Sequence, residues 1–156
     1  MNPTLPQLNL PEFEFRFKQE RRRLMIYDEF RKGYFVATPE EWVRQNFAMF
    51  LVHHKGFPAG RIAVEKQVKV LNINKRFDIL VYDSKMSPQL LVECKSPRIK
   101  IDQSVFSQVG IYNMELKAEY LIATNGLSHF AARIDFAEKK YSFLDHIPDF
   151  KDIISI

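Results

Sequence analysis

Two acidic residues and a lysine stand on two neighbouring apolar segments of the chain. Asp78 lies in the run RFDILVY, Glu93 and Lys95 lie in LLVECKS, and the turn-forming stretch DSKMSPQ separates the two runs. This pattern predicts a hairpin, with Glu93 and Lys95 on one strand face and Cys94 on the other. Two carboxylates so close on an apolar sheet repel each other, which favours a cation between them. The sequence therefore predicts a divalent-metal phosphodiesterase site.

The order and spacing of these residues resemble the PD-(D/E)xK nuclease superfamily. Glu93 follows Asp78 after fifteen positions, Lys95 comes two positions later, and Phe77 stands where the motif often has proline. The resemblance implies that Asp78 and Glu93 bind Mg²⁺ or Mn²⁺, together with the backbone carbonyl of Cys94. It also implies a catalytic Lys95, whose ammonium would hold the nucleophilic water or stabilise charge on the phosphorane.

Further strings along the chain resemble one branch of this superfamily. QVGIY, from Gln108 to Tyr112, has the Q-x-x-x-Y pattern that accompanies the core motif in RecB-like nucleases and in type I restriction enzyme R subunits. TPEEWVRQ before the motif and ATNG after it resemble the N-terminal domain of these R subunits in a small stand-alone form. Each string alone is weak evidence for the family, but their joint order along the chain is a specific signal.

Residues after the core motif are candidates for catalysis and DNA binding. Gln108 and Tyr112 lie one helical turn apart and share a face. Gln108 could orient Glu93 or Lys95, or contact the scissile nucleotide, and we count it among the catalytic residues. Tyr112 could stack on a base or bind phosphate, or simply pack against the sheet. Phosphate contacts are also expected from Arg98 and Lys100, and from Ser96, which could instead merely end a strand before Pro97.

The segment TPEEW begins a helix, with threonine as N-cap, proline in the first turn and two acids after it. Interaction with the helix dipole explains Glu40 or Glu41 without any site. In the superfamily, however, an acid of the first helix often completes the metal site. Glu40 shares a face with Val43 and Phe47, so we choose Glu40 as the further metal ligand. Arg44, one turn later, could pair with Glu40 or bind phosphate.

Hydrophobic periodicity predicts an α-β-β-β-α-β order with extra strands at both ends. The resemblance implies an α/β fold with a restriction-endonuclease-like αβββαβ core, in which helices flank a mixed central β-sheet. Within strand 62–71, apolar residues recur at even spacing, and Glu65 is a structural acid or an additional site acid. The expected strands are 13–18, 24–27, 34–37, 62–71, 76–82, 90–95, 120–123, 130–136 and 141–144, and the expected helices are 38–54 and 103–116.

The length of 156 residues indicates a single domain. We divide it into an N-terminal arm and β elaboration (1–37), a core (38–125) and a C-terminal β extension (126–156). One cysteine excludes a disulfide framework and a cysteine zinc site. The sequence has no membrane span or signal peptide, so a cytoplasmic protein is expected.

Charge and motif content narrow the expected partners. The net charge of +4 is compatible with a polyanion. An early basic cluster indicates a solvated loop or hairpin, with a DNA contact as the alternative; it consists of Lys18, Arg21, Arg22 and Arg23. The sequence has no P-loop pattern, so we expect no ATP. A homodimer, or association with restriction or repair components, is left open.

The sequence thus predicts a Mg²⁺-dependent deoxyribonuclease. A nucleic-acid-binding or scaffolding module that keeps the nuclease fold, with little activity, is the main alternative. An enzyme acting on RNA is a third. The sequence does not indicate cleavage specificity, or whether cleavage is endo- or exonucleolytic.

Overall fold

The computed structural model describes residues 5–153, which form two β-sheets with flanking helices. The elements in chain order are β1 (Phe17–Glu20), β2 (Arg23–Asp28), β3 (Gly33–Val36), α1 (Pro39–His53), β4 (Ile62–Val70), β5 (Ile73–Tyr82), β6 (Pro88–Cys94), α2 (Gln103–Leu116), β7 (Tyr120–Thr124), β8 (His129–Asp135), β9 (Lys140–Leu144) and α3 (Phe150–Ile153). None of the helices in the described range is long and apolar enough to cross a membrane.

The larger sheet is mixed and has six strands in the order β4-β5-β6-β7-β8-β9. β6 and β7 are parallel, with α2 as the crossover between them, and the other neighbouring strands are antiparallel. The strands β1, β2 and β3 form a separate antiparallel sheet. The elements from α1 to β7 follow the order α-β-β-β-α-β, so the predicted α/β fold class is confirmed.

The two long helices cover opposite faces of the central sheet. On one face, Val43, Phe47 and Leu51 of α1 belong to an apolar cluster with Ile79 and Val92 of the motif strands. On the other face, residues of α2 form a second cluster with residues of the same strands; its members include Val105, Phe106, Val109, Leu80 and Leu91. The motif strands β5 and β6 are therefore covered on both sides, as their continuous apolar runs predict.

Local sequence signals explain where the long helices begin. The Thr38 side chain accepts a hydrogen bond from the amide of Glu41 at 3.1 Å, which caps α1. Asp102 accepts one from the amide of Ser104 at 2.9 Å, which caps α2. Each cap satisfies a helix N–H that has no partner within the helix. The predicted bounds of both helices are confirmed within one residue.

The N-terminal strand differs from its prediction. Alternating aromatic residues predict a strand over 13–18, but β1 begins at Phe17. The Phe13 ring packs 5.7 Å from the ring of His54, and the Phe15 ring packs 5.3 Å from that of Trp42. The alternation therefore reflects aromatic packing on α1, which a periodicity argument cannot distinguish from strand pairing.

Strand β4 changes face at Glu65, contrary to its even-numbered apolar pattern. Ile62 and Val64 pack with the α1 cluster, whereas Val68 and Val70 pack with the α2 cluster. Strict alternation would keep all four on one face. Glu65 lies at the change and has a left-handed φ of +52°. A non-glycine residue in this conformation is uncommon, and it reverses the alternation.

Strand β5 changes face at the matching position. Phe77 packs with the α2 cluster, and Ile79, two residues later, packs with the α1 cluster. The ladder pairs Val64 with Ile79, and this register places Glu65 opposite Asp78. The irregularity in both strands therefore brings two acidic residues together on an otherwise apolar sheet.

Candidate active site

The hairpin brings the predicted motif residues together. Ile79 pairs with Val92, and the same antiparallel register places Asp78 opposite Glu93. The Asp78 Oδ2 atom accepts a hydrogen bond of 2.7 Å from the backbone amide of Cys94. Lys95 Nζ lies 3.3 Å from Glu93 Oε1. Two carboxylates and one ammonium thus meet at the ends of two central strands.

Asp78 is in an environment that disfavours its charged form. Burial, followed by the negative charges of Glu93, Glu40 and Glu65, raises the pKa of Asp78 to about 8. The hydrogen bond from Cys94 acts in the opposite direction. A carboxyl group whose pKa is raised by both desolvation and nearby negative charge binds a proton or a cation readily. The ionised carboxylate of Asp78 is therefore unfavourable in this site unless a cation lies nearby.

The donor chemistry fits a hard divalent cation. Carboxylate oxygens of Asp78 and Glu93 are the ligands that Mg²⁺ and Mn²⁺ prefer. The amide of Lys95 donates to the Thr124 carbonyl on β7 at 2.8 Å. Since backbone groups of successive strand residues point to alternate sides, Cys94 turns its amide and carbonyl toward β5. Both groups of Cys94 therefore face the side on which Asp78 lies.

The carboxylates do not converge on one point as the ligands of a bound metal ion would. Among residues 5–153, no group of three or more His, Cys, Asp or Glu side chains is placed to hold one metal ion. Glu93 is partly occupied by its contact with Lys95. The metal roles of Asp78, Glu93, Glu40 and the Cys94 carbonyl therefore stay predictions.

Glu40 lies near the motif, although its predicted orientation toward the core is wrong. Glu40 is exposed, not turned toward the core as the helical phase predicts. Partial desolvation raises the pKa of its carboxyl group, and the charge of Lys95 opposes that shift, while Glu93 and Glu65 add to it. Glu40 therefore belongs to the same electrostatic environment as the motif residues.

Glu41, the neighbouring acid, is fully engaged in the protein interior. Its carboxylate forms ion pairs with Arg31 and with Arg44, the latter at 2.6 Å. It also accepts a hydrogen bond of 2.8 Å from Gln45 Nε2. These contacts join α1 to the loop between β2 and β3. They give Glu41 a structural role and leave Glu40 as the first-helix acid beside the motif.

Arg44 is not a phosphate contact, and the prediction that it binds DNA is wrong. Its side chain is 1% exposed and lies between acids of three elements. Its Nη2 atom is 2.5 Å from Asp28 Oδ2, and its Nε atom is 3.6 Å from Glu65 Oε1. The buried Nη1 atom has no hydrogen-bond partner among the described residues. Arg44 pairs with Asp28 and Glu41 rather than Glu40, and so links the small sheet to the core.

Glu65, whose role sequence reasoning left undecided, lies beside the candidate site. It stands opposite Asp78, and its Oε2 atom pairs with Arg76 Nε at 2.9 Å. Its negative charge contributes to the raised pKa of Asp78. The left-handed backbone at Glu65 was not detectable from the sequence, because glutamate rarely adopts it. The acidic charge around Asp78 is thus larger than the motif alone indicates.

An open cleft of about 360 Å³ connects the motif to α2. Glu93 and Lys95 line it from β6, and Gln108 and Tyr112 line it from α2. Lys75 also lines the cleft, with its Nζ 5.4 Å from the centre of the Tyr112 ring. Lys75 was not predicted as a cleft residue, because the strand was expected to begin at residue 76. The cleft brings the Q-x-x-x-Y residues to the motif lysine.

The basic residues after the motif lie outside this cleft. Arg98 and Lys100 are exposed in the loop between β6 and α2. Ser96 Oγ accepts a hydrogen bond of 3.3 Å from the amide of Arg98. Asn125 Nδ2 donates to the Ile99 carbonyl at 2.8 Å, which ties the loop to the ATNG turn. Phosphate contacts of these residues, like the DNA contact of Tyr112, stay predictions.

The two acids at the start of α1 make a matched pair of variants. We expect Glu40→Gln to reduce metal-dependent cleavage about tenfold without changing the melting temperature in EDTA. Glu41→Gln should instead lower stability by about 1–3 kcal/mol, because Arg31 and Arg44 lose a charged partner. Plasmid nicking and thermal melting on the same samples measure both effects. Equal loss of cleavage in the two variants, at equal stability, would contradict this assignment.

Comparison with known proteins gives one family. A family model described as "Type I restriction enzyme R protein N terminus (HSDR_N)" matches residues 39–148. A solved fragment assigned to an HsdR subunit of a type I restriction enzyme from Vibrio vulnificus YJ016 has 18% identity and a TM-score of 0.49, and the alignment covers 70% of this chain but 24% of that one. No curated protein sequence matches significantly. Since the family model spans more than half of the sequence, the chain belongs to the family of type I restriction enzyme R protein N-terminal domains.

Proposed function

We propose that this domain hydrolyses phosphodiester bonds of DNA with the help of a divalent metal ion, in the manner of PD-(D/E)xK nucleases. The observation that carries the proposal is the meeting of Asp78, Glu93 and Lys95 at the edge of a cleft. The pKa of Asp78, raised to about 8, supports it, because bound cation charge would relieve that electrostatic penalty. Family membership supports a restriction-related role.

The residues of the chain have distinct tasks in this proposal. Asp78 and Glu93 would hold Mg²⁺ or Mn²⁺, with Glu40 and the Cys94 carbonyl as further candidates. The ion would supply positive charge at the phosphate and lower the pKa of a bound water. Lys95, on the same strand face as Glu93, would orient the attacking water or stabilise the developing charge.

The α2 side of the cleft would position the nucleic acid. Gln108 lines the same cleft as Glu93 and Lys95. An amide side chain can donate and accept hydrogen bonds, so it suits the orientation of a carboxylate or a water. Tyr112 packs its ring 6.5 Å from that of Phe77, which leaves its hydroxyl as the polar group for a phosphate.

The partners follow from the same proposal. DNA would be the substrate. Other components of a restriction system would be the protein partners. A homodimer and an association with repair components are further candidates. The cytoplasmic location and the independence of ATP stay predictions from the sequence.

Plasmid nicking tests the proposed function. We expect the wild-type protein to nick supercoiled DNA with Mg²⁺ or Mn²⁺, and to leave it intact in EDTA. Glu93→Gln should abolish nicking, because it removes a charged metal ligand, whereas Glu138→Gln in the exposed β8–β9 turn should have no effect. Intact supercoiled, linear and single-stranded DNA across both metal titrations would favour the scaffolding alternative. Cleavage of RNA alone would replace the substrate.

A further inference from the structure

The β1–β2 hairpin ends in a turn whose residues do not suit its backbone. Arg21 and Arg22 form the two-residue loop, and their φ angles are +49° and +64°. A two-residue hairpin loop with both φ angles positive is type I′, which strongly favours Asn-Gly. The Cβ of arginine disfavours the left-handed region. Backbone conformation therefore does not account for two arginines at this position.

The arginine side chains also lack partners inside the protein. Arg21, Arg22 and Arg23 are exposed. None of them pairs with an acidic side chain within residues 5–153. Every residue of β1 is exposed as well, so this end of the hairpin projects into solvent. Three positive charges at a projecting tip are thus available to an external anion.

The other end of the hairpin is anchored beside the candidate active site. Asp28, the last residue of β2, is 1% exposed and lies 2.5 Å from Arg44 Nη2. Arg44 approaches Glu65, which stands opposite Asp78. At about 3.3 Å per residue, the rise along β2 puts the tip about 17 Å from this anchor. That distance spans roughly five phosphates of one DNA strand.

We propose that the β1–β2 hairpin binds the phosphate backbone of double-stranded DNA next to the cleavage site, an inference that rests on the proposed function. Arginine contacts to phosphate position a duplex without reading its sequence. A two-stranded β-ribbon fits the major groove. The tip, from Glu20 to Arg23, has no aromatic side chain on which bases of a single strand could stack. These features favour the duplex over single strands.

Replacing the turn by its preferred sequence separates binding from folding. In the Arg21→Asn/Arg22→Gly variant, the type I′ turn becomes Asn-Gly, so the melting temperature should rise or stay unchanged. Affinity for a fluorescent 20-base-pair duplex should fall about tenfold at moderate salt. The slope of log K against log salt should decrease in magnitude by about 2, since two phosphate contacts are lost. Anisotropy titrations in EDTA measure both quantities without cleavage.

A charge-matched control is available elsewhere in the chain. Lys117 and Lys139 are exposed and have φ angles of +58° and +54°. The Lys117→Gly/Lys139→Gly variant removes the same charge from left-handed positions, and we expect it to keep the wild-type salt slope. A hairpin variant that keeps wild-type duplex affinity and slope would overturn the inference. So would equal losses in both variants, since these would reflect net charge only.

The experiment also distinguishes this inference from the proposed function. Hairpin-dependent duplex binding by a protein that cuts no DNA would support the hairpin contact and reject the nuclease. Cleavage by a protein whose duplex binding ignores the hairpin would do the reverse. Phosphatidylserine vesicles and an acidic peptide serve as alternative anions. If the hairpin variant lost binding to one of these but not to duplex DNA, the assignment to DNA would be wrong.

Discussion

Lys95→Ala is expected to reduce DNA cleavage by about 10²–10⁴-fold while Mn²⁺ binding persists or tightens. Lys95 Nζ lies 3.3 Å from Glu93 Oε1, so its positive charge competes with a cation for that carboxylate. Removing the ammonium frees Glu93 for metal but deletes the group that would orient water or stabilise charge. The two effects therefore have opposite signs, which a general loss of folding cannot imitate.

Thermal melting against Mn²⁺ concentration, with plasmid nicking on the same samples, measures this prediction. Stabilisation by a ligand follows RT ln(1 + [L]/Kd), so the Mn²⁺ dependence reports the affinity of the site. Lys75→Ala is the matched control, because Lys75 lines the same cleft but forms no ion pair within the described chain. A Lys95→Ala protein that cleaves at the wild-type rate would remove this lysine from the mechanism. Loss of Mn²⁺ stabilisation would make it a structural residue.

The sequence predicted the elements of the core well, because the signals for them are local. Thr38 and Pro39 mark the start of the first long helix, and apolar runs with a turn between them mark the motif hairpin. The spacing of Asp78, Glu93 and Lys95 along the strands determined which side chains would meet. Fold class and family could be inferred from such short-range patterns together with their order.

The errors concern residues whose environment depends on distant parts of the chain. Arg44 was expected at the DNA, but Asp28, sixteen positions earlier, lies beside it in the interior. No periodicity in α1 could indicate that contact. The change of face at Glu65 depends on one left-handed residue, which the even-numbered apolar pattern conceals. The expectation that Glu40 faces the core was wrong for a similar reason, since helical phase alone does not say what covers a helix end.

Asp78→Asn is expected to stabilise the metal-free protein at pH 8, although it should abolish cleavage. In the folded protein the pKa of Asp78 is raised from 3.8 to about 8, chiefly by burial and by the charge of Glu93. The folded state then binds more protons than the unfolded state between these values, so stability is lost as pH rises from about 4 to 8. Asparagine stays neutral and can still accept the hydrogen bond from Cys94.

The gain should be roughly 2–3 kcal/mol at pH 8, less than the full shift implies because the site is partly hydrated and coupled to Glu93. It should largely disappear near pH 4, where Asp78 is protonated in the folded state and already about half protonated in the unfolded state. Melting in EDTA across this pH range measures it. Asp83→Asn in the β5–β6 turn is the control of opposite sign, because the amides of Ser87 and Lys85 lower the pKa of Asp83 and stabilise its charge.

Adding Mn²⁺ should reverse the order of the two proteins at pH 8. The wild-type protein gains stability as the metal binds its carboxylates, whereas Asp78→Asn has lost a ligand and gains little. The same charge that destabilises the free protein would then be the source of its metal affinity. If Asp78→Asn were no more stable than wild type in EDTA at pH 8, burial and the charge of Glu93 would not destabilise the ionised Asp78. The electrostatic argument for a metal ion at this position would then fail.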